Sequence, residues 1–478
     1  MLLIQVVTQW DSVMKSPEIS AMPWKTCSFV FIGITAVILT LFCILQPGIN
    51  VRIFQIYTTE QRLNQVTPFQ NPGEFSERKL QKSSIQPVMG NVGHENSTKI
   101  TFEQINKIQE EAKMHSVAEA MKTRFQVLQE KCEKHLKNLS SFGIKGSIYS
   151  IQQKINYCET PKVGCTFWKS VMRFLAGDYP TGRQIQKPSD IDRAFVHSGP
   201  WKNIKRYGND AVKLGVLSTG YNIMFVREPY SRLWSGYLDK FYLPDFWQRY
   251  GPIFRHTSKK DCIQNISFEE FLTFIAENHH ATSDMHWTPF YQLCNPCHVK
   301  YDVIGKMETF SNDSKFILNK LGHDMLVDDK QNNSKSRAKE EIRSLSKYNF
   351  SFKNNSCFFH EVIAKRLWSV FQMNGYIQKN IPFPLEMFSD KNFYLGSDNT
   401  TSVFIKYAFK ALDSQTVSDH DLKEQKHQYM IDGYSTIPMP LLYRIQKQFQ
   451  IDFELFGYNA EPAEIFSRQF VQHYMITI

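Results

Sequence analysis

The sequence predicts an α/β domain, a parallel sheet with helices on both faces and a ligand held at the carboxyl ends of the strands. Two stretches about sixty residues apart carry that prediction: Pro161-Lys162-Val163-Gly164-Cys165-Thr166-Phe167-Trp168-Lys169 and Arg227-Glu228-Pro229-Tyr230-Ser231-Arg232-Leu233-Trp234-Ser235. Each follows a β-rich run and opens a segment with apolar residues at helical spacing. Size is the third observation, since a chain of 478 residues, 42% of them hydrophobic, can bury a large core.

The elements follow in order. After a polar stretch, residues 1–26, the segment from Cys27 to Leu45 carries no charge and ends at Pro47-Gly48, the length of a membrane-spanning helix. Its late position favours an uncleaved signal-anchor over a cleaved signal peptide. Lys15 and Lys25 precede the span and Arg52 and Arg62 follow it, so flanking charge is tied on orientation. Residues 46–143 read as a stem, polar up to about Ser97 and helical from Phe102 to Leu136. Met114, Ala118, Met121, Phe125, Leu128 and Cys132 recur there at steps of four and three. That seam suits a coiled coil, which would make a homodimer locked at Cys132, as well as an amphipathic helix packed on the following domain.

Residues 144–478 are that domain. Ile151 to Cys158 predicts a strand, and Phe167 to Leu175 a helix with Trp168, Val171, Met172 and Leu175 on one face. Tyr221 to Val226 predicts the next strand and Tyr230 to Phe241 the next helix, with Trp168, Leu233, Trp234 and Tyr237 expected in the core rather than on a ligand. A strand-loop-helix junction leaves backbone N–H groups unpaired at the positive end of a helix dipole, a ready anion site. Gly164 lets backbone approach a ligand closely, Lys162 supplies a point charge and Thr166 a hydroxyl. Arg227 and Arg232 offer planar forks suited to phosphate, and Ser235 can donate from the following turn. Two such sites imply a ligand with phosphate-like groups at both ends. The lysine precedes the loop's only glycine, so the Walker nucleotide loop is absent, which argues against a kinase. The net charge of +10 favours an anionic partner, and no nucleic-acid motif accompanies it.

The pair of motifs resembles those of the Golgi carbohydrate sulfotransferases, whose donor is 3′-phosphoadenosine 5′-phosphosulfate. In that family a P-K-x-x-C-T-N-W-K loop holds the 5′-phosphosulfate and an R-x-P-x-x-R-x-x-S-A-Y segment holds the 3′-phosphate. This chain departs at Phe167, usually Asn, and at Gly236, usually Ala. Ser267-Phe268-Glu269-Glu270-Phe271 is similar to a family stretch before the acceptor region. His286-Trp287-Thr288-Pro289, Cys294-Asn295-Pro296-Cys297 and Tyr301-Asp302-Val303-Ile304-Gly305-Lys306-Met307-Glu308-Thr309 resemble a block of the chondroitin, dermatan and terminal-glucuronyl enzymes. Asp452-Phe453-Glu454-Leu455-Phe456-Gly457-Tyr458 resembles the family's closing segment.

The resemblance implies a P-loop-like fold and sulfate transfer to a hydroxyl of N-acetylgalactosamine or glucuronic acid, without a metal. It places Pro161, Lys162, Val163, Gly164, Cys165, Thr166, Phe167, Arg227, Arg232 and Ser235 on the donor. Lys162 would stabilise the leaving oxygen. His197 would be the general base, with His286 the runner-up or, with Trp287, a contact to the acceptor sugar. It also implies a type II Golgi membrane protein with a cytoplasmic tail at 1–26 and a lumenal domain. Sequons at Asn96, Asn138, Asn265, Asn312, Asn332, Asn349, Asn354 and Asn399 all follow the span, in keeping with that topology.

Seven cysteines lie beyond the span (Cys132, Cys158, Cys165, Cys262, Cys294, Cys297 and Cys357), with disulfides expected among them in an oxidising lumen. The stretch at about 344–427 is longer than the family spends there and carries no motif; a lid, an acceptor-binding insertion and a surface loop are all consistent with it. Phe167 and this insertion also admit a catalytically silent glycan-binding member.

Overall fold

The computed structural model describes residues 102–467 except 140–145, 183, 208–214, 256–262, 278–283, 327–333 and 353–356. The expected tail, membrane span and first half of the stem lie outside the described residues, as do Cys262 and the sequons at Asn96, Asn332 and Asn354. Among the described residues no helix is long and apolar enough to cross a membrane.

Five strands, β1 (Ser147–Ser150), β2 (Ile155–Tyr157), β3 (Lys205–Tyr207), β4 (Tyr221–Val226) and β5 (Val303–Lys306), form one sheet in the order β3-β1-β2-β4-β5. Strands β2, β4 and β5 are parallel, with Tyr157 opposite Ile223 and Ile223 opposite Val303. The expected all-parallel sheet is corrected on its other side, where β1 runs antiparallel to both β2 and β3. The cause is local. Residues 151–154 are a turn, with Lys154 at φ 52°, and a turn that short can join only antiparallel neighbours. Ile151, expected inside a strand, is 62% exposed at that turn. Amides knit the buried strands sideways: Ser147 Oγ donates to Asn156 Oδ1 at 2.7 Å, and Asn156 Nδ2 donates to Asn222 Oδ1 at 2.9 Å.

Helices flank the sheet. A 38-residue helix α1 (Phe102–Leu139) leads in. Next come α2 (Cys165–Leu175) from the β2 loop, α3 (Arg193–Ser198), α4 (Pro229–Tyr237) from the β4 loop and α5 (Phe310–Lys320) after β5. Trp168, Leu233, Trp234 and Tyr237 are buried, as the helical periodicity required. Of the two expectations for the α1 seam, the structure shows the packed helix. Met121, Leu128 and Cys132 join the core of the sheet, and Arg124 donates to Asp313 Oδ2 at 2.7 Å and Ile304 O at 3.0 Å. Cys132 is bonded within the chain to Cys297, and Cys158 to Cys294, so each cysteine of the C-x-x-C pair serves its own disulfide. Cys357 is disulfide-bonded as well, and Cys165 is free.

The unassigned insertion is folded. Helices α6 (Ser334–Phe350), α7 (His360–Met373) and α8 (Ser397–Ser414) surround a core of their own in which Ile342, Phe350, Leu367, Phe371 and Phe404 are completely buried, whereas α9 (Asp419–Ser435) packs through Met430 and Tyr434 into the core that holds α4. Asn349 is 1% exposed there, so its sequon has no room for a glycan. The chain then returns through α10 (Met439–Phe456), which packs against α1 and carries the closing motif.

Candidate active site

The two motif loops are adjacent. Arg227 Nη1 donates to the Lys162 carbonyl at 3.2 Å, placing the second junction against the first at the carboxyl ends of β2 and β4. Lys162 and Gly164 both adopt positive φ, 71° and 77°. At Gly164 a Cβ would stand 2.2 Å from the Phe310 ring, so position and conformation together demand glycine. Gly164 is the N-cap of α2, with no side-chain cap and no acidic residue in the first turn. The helix N-terminus is therefore open to an anion.

The α4 junction is built differently. Glu228 fills its own helix start, accepting from Tyr230 N at 2.9 Å and Ser231 N at 2.6 Å. Burial pushes this carboxyl up to about 7, against those two hydrogen bonds and Arg227. Arg227 is fixed by Nε donating to Ser231 Oγ at 2.7 Å. Arg232 is spent on the fold: it donates to the carbonyls of Thr288 at 2.7 Å, Met285 at 2.8 Å and Pro161 at 3.4 Å, and stacks 4.2 Å over Phe290. Burial lowers its guanidinium to about 10. Ser235 is half-buried on α4, while Pro161 and Val163 are buried, Val163 in the core. Phe167 meets the edges of Trp168 and Phe310, both at 5.5 Å between centroids.

Lys162 Nζ reaches Asp239 Oδ2 at 2.9 Å. Burial would raise the Asp239 carboxyl, but Lys162, Lys240 and His286 hold it well below the usual range. His197 stands on α3 beside α2, its Nε2 3.0 Å from Thr166 Oγ1 and its Nδ1 3.3 Å from Lys169 Nζ. Lysine can only donate, so Nδ1 accepts and Nε2 carries the proton toward Thr166. Burial, then Lys169 and Arg193, lower this imidazole to about 3. Lys169 is held by buried Glu159, which Arg206 also grips at 2.7 Å.

His286 has the opposite setting. Its Nδ1 lies 2.5 Å from Asp284 Oδ1, which fixes the ring and leaves Nε2 as the second nitrogen. Burial lowers its pKa below the usual value, and Asp284 opposes that shift. Trp287, expected to stack on a sugar, is 4% exposed within an aromatic cluster, 5.7 Å from both Phe241 and Phe271.

Sequence reasoning missed Asp239, Asp284 and Glu228. Only Asp284 left a local signal, a carboxylate two residues before a histidine. Two motif acids prove to be structural. Asp452 accepts from Phe290 N at 2.7 Å and Tyr291 N at 2.9 Å, capping the turn after His286-Trp287. Glu308 accepts from Glu228 N and the Tyr458 hydroxyl, both at 3.0 Å.

Residues 145–374 match the model of the sulfotransferase family. Over 198 residues the chain is 31% identical to carbohydrate sulfotransferase 11 of Rattus norvegicus, covering 38% of this chain and 55% of the relative. It is 30% identical to carbohydrate sulfotransferase 8 of Homo sapiens over 221 residues, 42% of this chain and 50% of the relative. It is 33% identical to carbohydrate sulfotransferase 10 of Pongo abelii over 213 residues, 40% and 58% respectively. The chain thus spans little more than half the length of these curated relatives. No solved structure matches. The matched residues 145–374, which hold both motif loops and both histidines, are similar to the sulfotransferase family.

Proposed function

We propose that the chain transfers a sulfuryl group from 3′-phosphoadenosine 5′-phosphosulfate to a hydroxyl of a glycan, N-acetylgalactosamine or glucuronic acid being the acceptor sugars. The observation that carries this reading is the hydrogen bond from Arg227 to the Lys162 carbonyl, which sets the two loops side by side, as one bipartite anion site requires. The relatives' names supply the carbohydrate acceptor class. In this reading the 5′-phosphosulfate lies on the open N-terminus of α2, within reach of Lys162 and Thr166, and the 3′-phosphate is held by Arg227 and Ser235. Arg232 contributes by fixing the loop through the Pro161 carbonyl.

The acceptor oxygen attacks sulfur in line, an O–S bond forms, and the S–O bond to the 5′-phosphate breaks. Lys162 leaves Asp239 to neutralise the departing phosphate oxygen, and adenosine 3′,5′-bisphosphate is released. The acceptor proton passes to Nε2 of His286, with Asp284 orienting the ring. His286 fits this task better than His197, because both nitrogens of His197 already face partners. The protein is read as a type II Golgi membrane enzyme anchored at 27–45 with its catalytic domain in the lumen.

The test is thermal stabilisation of the full chain by adenosine 3′,5′-bisphosphate, with ATP and adenosine 5′-phosphate as comparisons, followed by transfer from labelled donor to chondroitin and glucuronyl acceptors. Selective stabilisation with transfer supports the reading. Bisphosphate binding without transfer to any acceptor would make the chain a silent, glycan-binding member, and preference for ATP would overturn the donor.

A further inference from the structure

The insertion faces the donor site. On α9, Lys426, Met430 and Gly433 lie at i, i+4 and i+7, on one side of the helix. That side packs on α4. Met430 is buried in the same core as Trp234, a Cβ at Gly433 would meet the Trp234 ring at 2.4 Å, and the Tyr434 hydroxyl donates to the Tyr230 carbonyl at 2.8 Å. Helix α4 is the one that begins two residues after Arg227.

Neighbouring contacts hold this arrangement rigid. Gln425 Nε2 donates to the carbonyls of Gln372 at 2.7 Å and Ile377 at 2.9 Å, and its Oε1 accepts from Lys379 N at 2.9 Å. These bonds tie α9 to the loop that carries Tyr376. From α6, Glu341, just before the unassigned stretch, reaches Arg193 of α3, the helix of His197, at 3.1 Å.

The charges left over are cationic. Lys162 is paired with Asp239, Arg193 with Glu341, and Glu228 caps α4. Lys426 has no hydrogen bond or ion pair among the described residues, although it is only partly exposed. Burial, then Arg227, Lys162 and Arg337, lower its ammonium to about 8, with Glu341 the opposing charge. Tyr376 lies in the field of Arg193, Arg227 and Arg337 as well. An ammonium set among like charges is stabilised when an anion joins them.

We propose that the inserted helices complete the donor site, Lys426 supplying an ammonium to the 3′-phosphate of the sulfonucleotide alongside Arg227. The inference rests on the sulfotransferase reading and adds to it a residue from outside both donor motifs. A charge-assisted hydrogen bond of this kind contributes roughly tenfold or more in affinity.

The experiment is calorimetric titration of the full chain with adenosine 3′,5′-bisphosphate and with adenosine 5′-phosphate, for the wild type, Lys426→Gln and Lys426→Arg. Michaelis constants for donor and acceptor are measured on the same three proteins. Lys426→Gln is expected to weaken bisphosphate binding about tenfold or more and adenosine 5′-phosphate binding little, with part of the loss restored in Lys426→Arg and the melting temperature unchanged. An unchanged bisphosphate affinity overturns the inference, and a rise confined to the acceptor KM assigns Lys426 to the glycan instead. A wild-type chain that ignores the bisphosphate overturns the sulfotransferase reading itself, a result distinct from both.

Discussion

The two strand-to-helix junctions look alike in sequence and do different work. At α2 the helix start is left open, because Gly164 caps it without a side chain and the backbone at Lys162 and Gly164 turns through positive φ. At α4 the helix start is closed by Glu228, and Arg232 is buried under three carbonyls. The first junction can therefore offer backbone to an anion, whereas the second can offer only side chains, Arg227 first. The histidines divide in the same way. His197, beside α2, is saturated by Lys169 and Thr166, while His286, beyond α4, is oriented by a carboxylate and keeps Nε2. A motif fixes where a group sits in the chain; its neighbours decide whether it is used by the ligand or by the fold.

That contrast can be broken most forcefully at Lys162. Lys162→Ala is expected to lower kcat about 10³-fold while leaving the melting temperature near the wild type, since Asp239 then faces a cleft rather than the core. A loss below tenfold would remove the α2 junction from the chemistry. Arg232→Ala should show the reverse, a loss of about 3 kcal/mol in denaturant unfolding, from carbonyls left unsatisfied in the interior. If Arg232→Ala unfolds like the wild type but loses bisphosphate affinity, the second junction uses both arginines on the ligand.

The histidines provide the next test. His286→Ala should reduce kcat about 10²-fold and His197→Ala less than tenfold, read from initial rates of sulfate transfer. The opposite ranking would return the base to His197. The smallest effect is on pH. His286 must be neutral to accept a proton, and burial sets its pKa below the usual value, so the acid limb of kcat/KM should fall below pH about 6.5. Asp284 favours the charged imidazole, so Asp284→Asn should move that limb further to the acid side and lower the plateau. A limb that moves toward neutrality would contradict the dyad.

Much of this was legible in the residues. The strand Tyr221–Val226 is bounded in the sequence as it is in the fold, because a continuous β-rich run between Gly220 and Arg227 admits little else. Helix α2 begins two residues before the periodicity predicts, at Cys165. The strand expected from Ile151 begins only at Ile155, since apolar character alone cannot show a turn in which Lys154 adopts φ 52°. The insertion carried no motif because its helices are held by a diffuse aromatic and aliphatic core rather than by chemistry at fixed spacing.

By itself the sequence determined the order of the elements, the two strand-to-helix loops and the cationic and hydroxyl residues they carry, because these depend on local periodicity and on spacing along the chain. Only the tertiary structure decided which charges remain for a ligand. Lys162 meets Asp239 across 77 positions, Arg232 spends its fork on carbonyls 53 to 71 positions away, and Lys426 lies about two hundred residues beyond Arg227. Pairing between charges falls off over a few ångströms in space and is blind to separation in sequence, so the folded chain alone sets it.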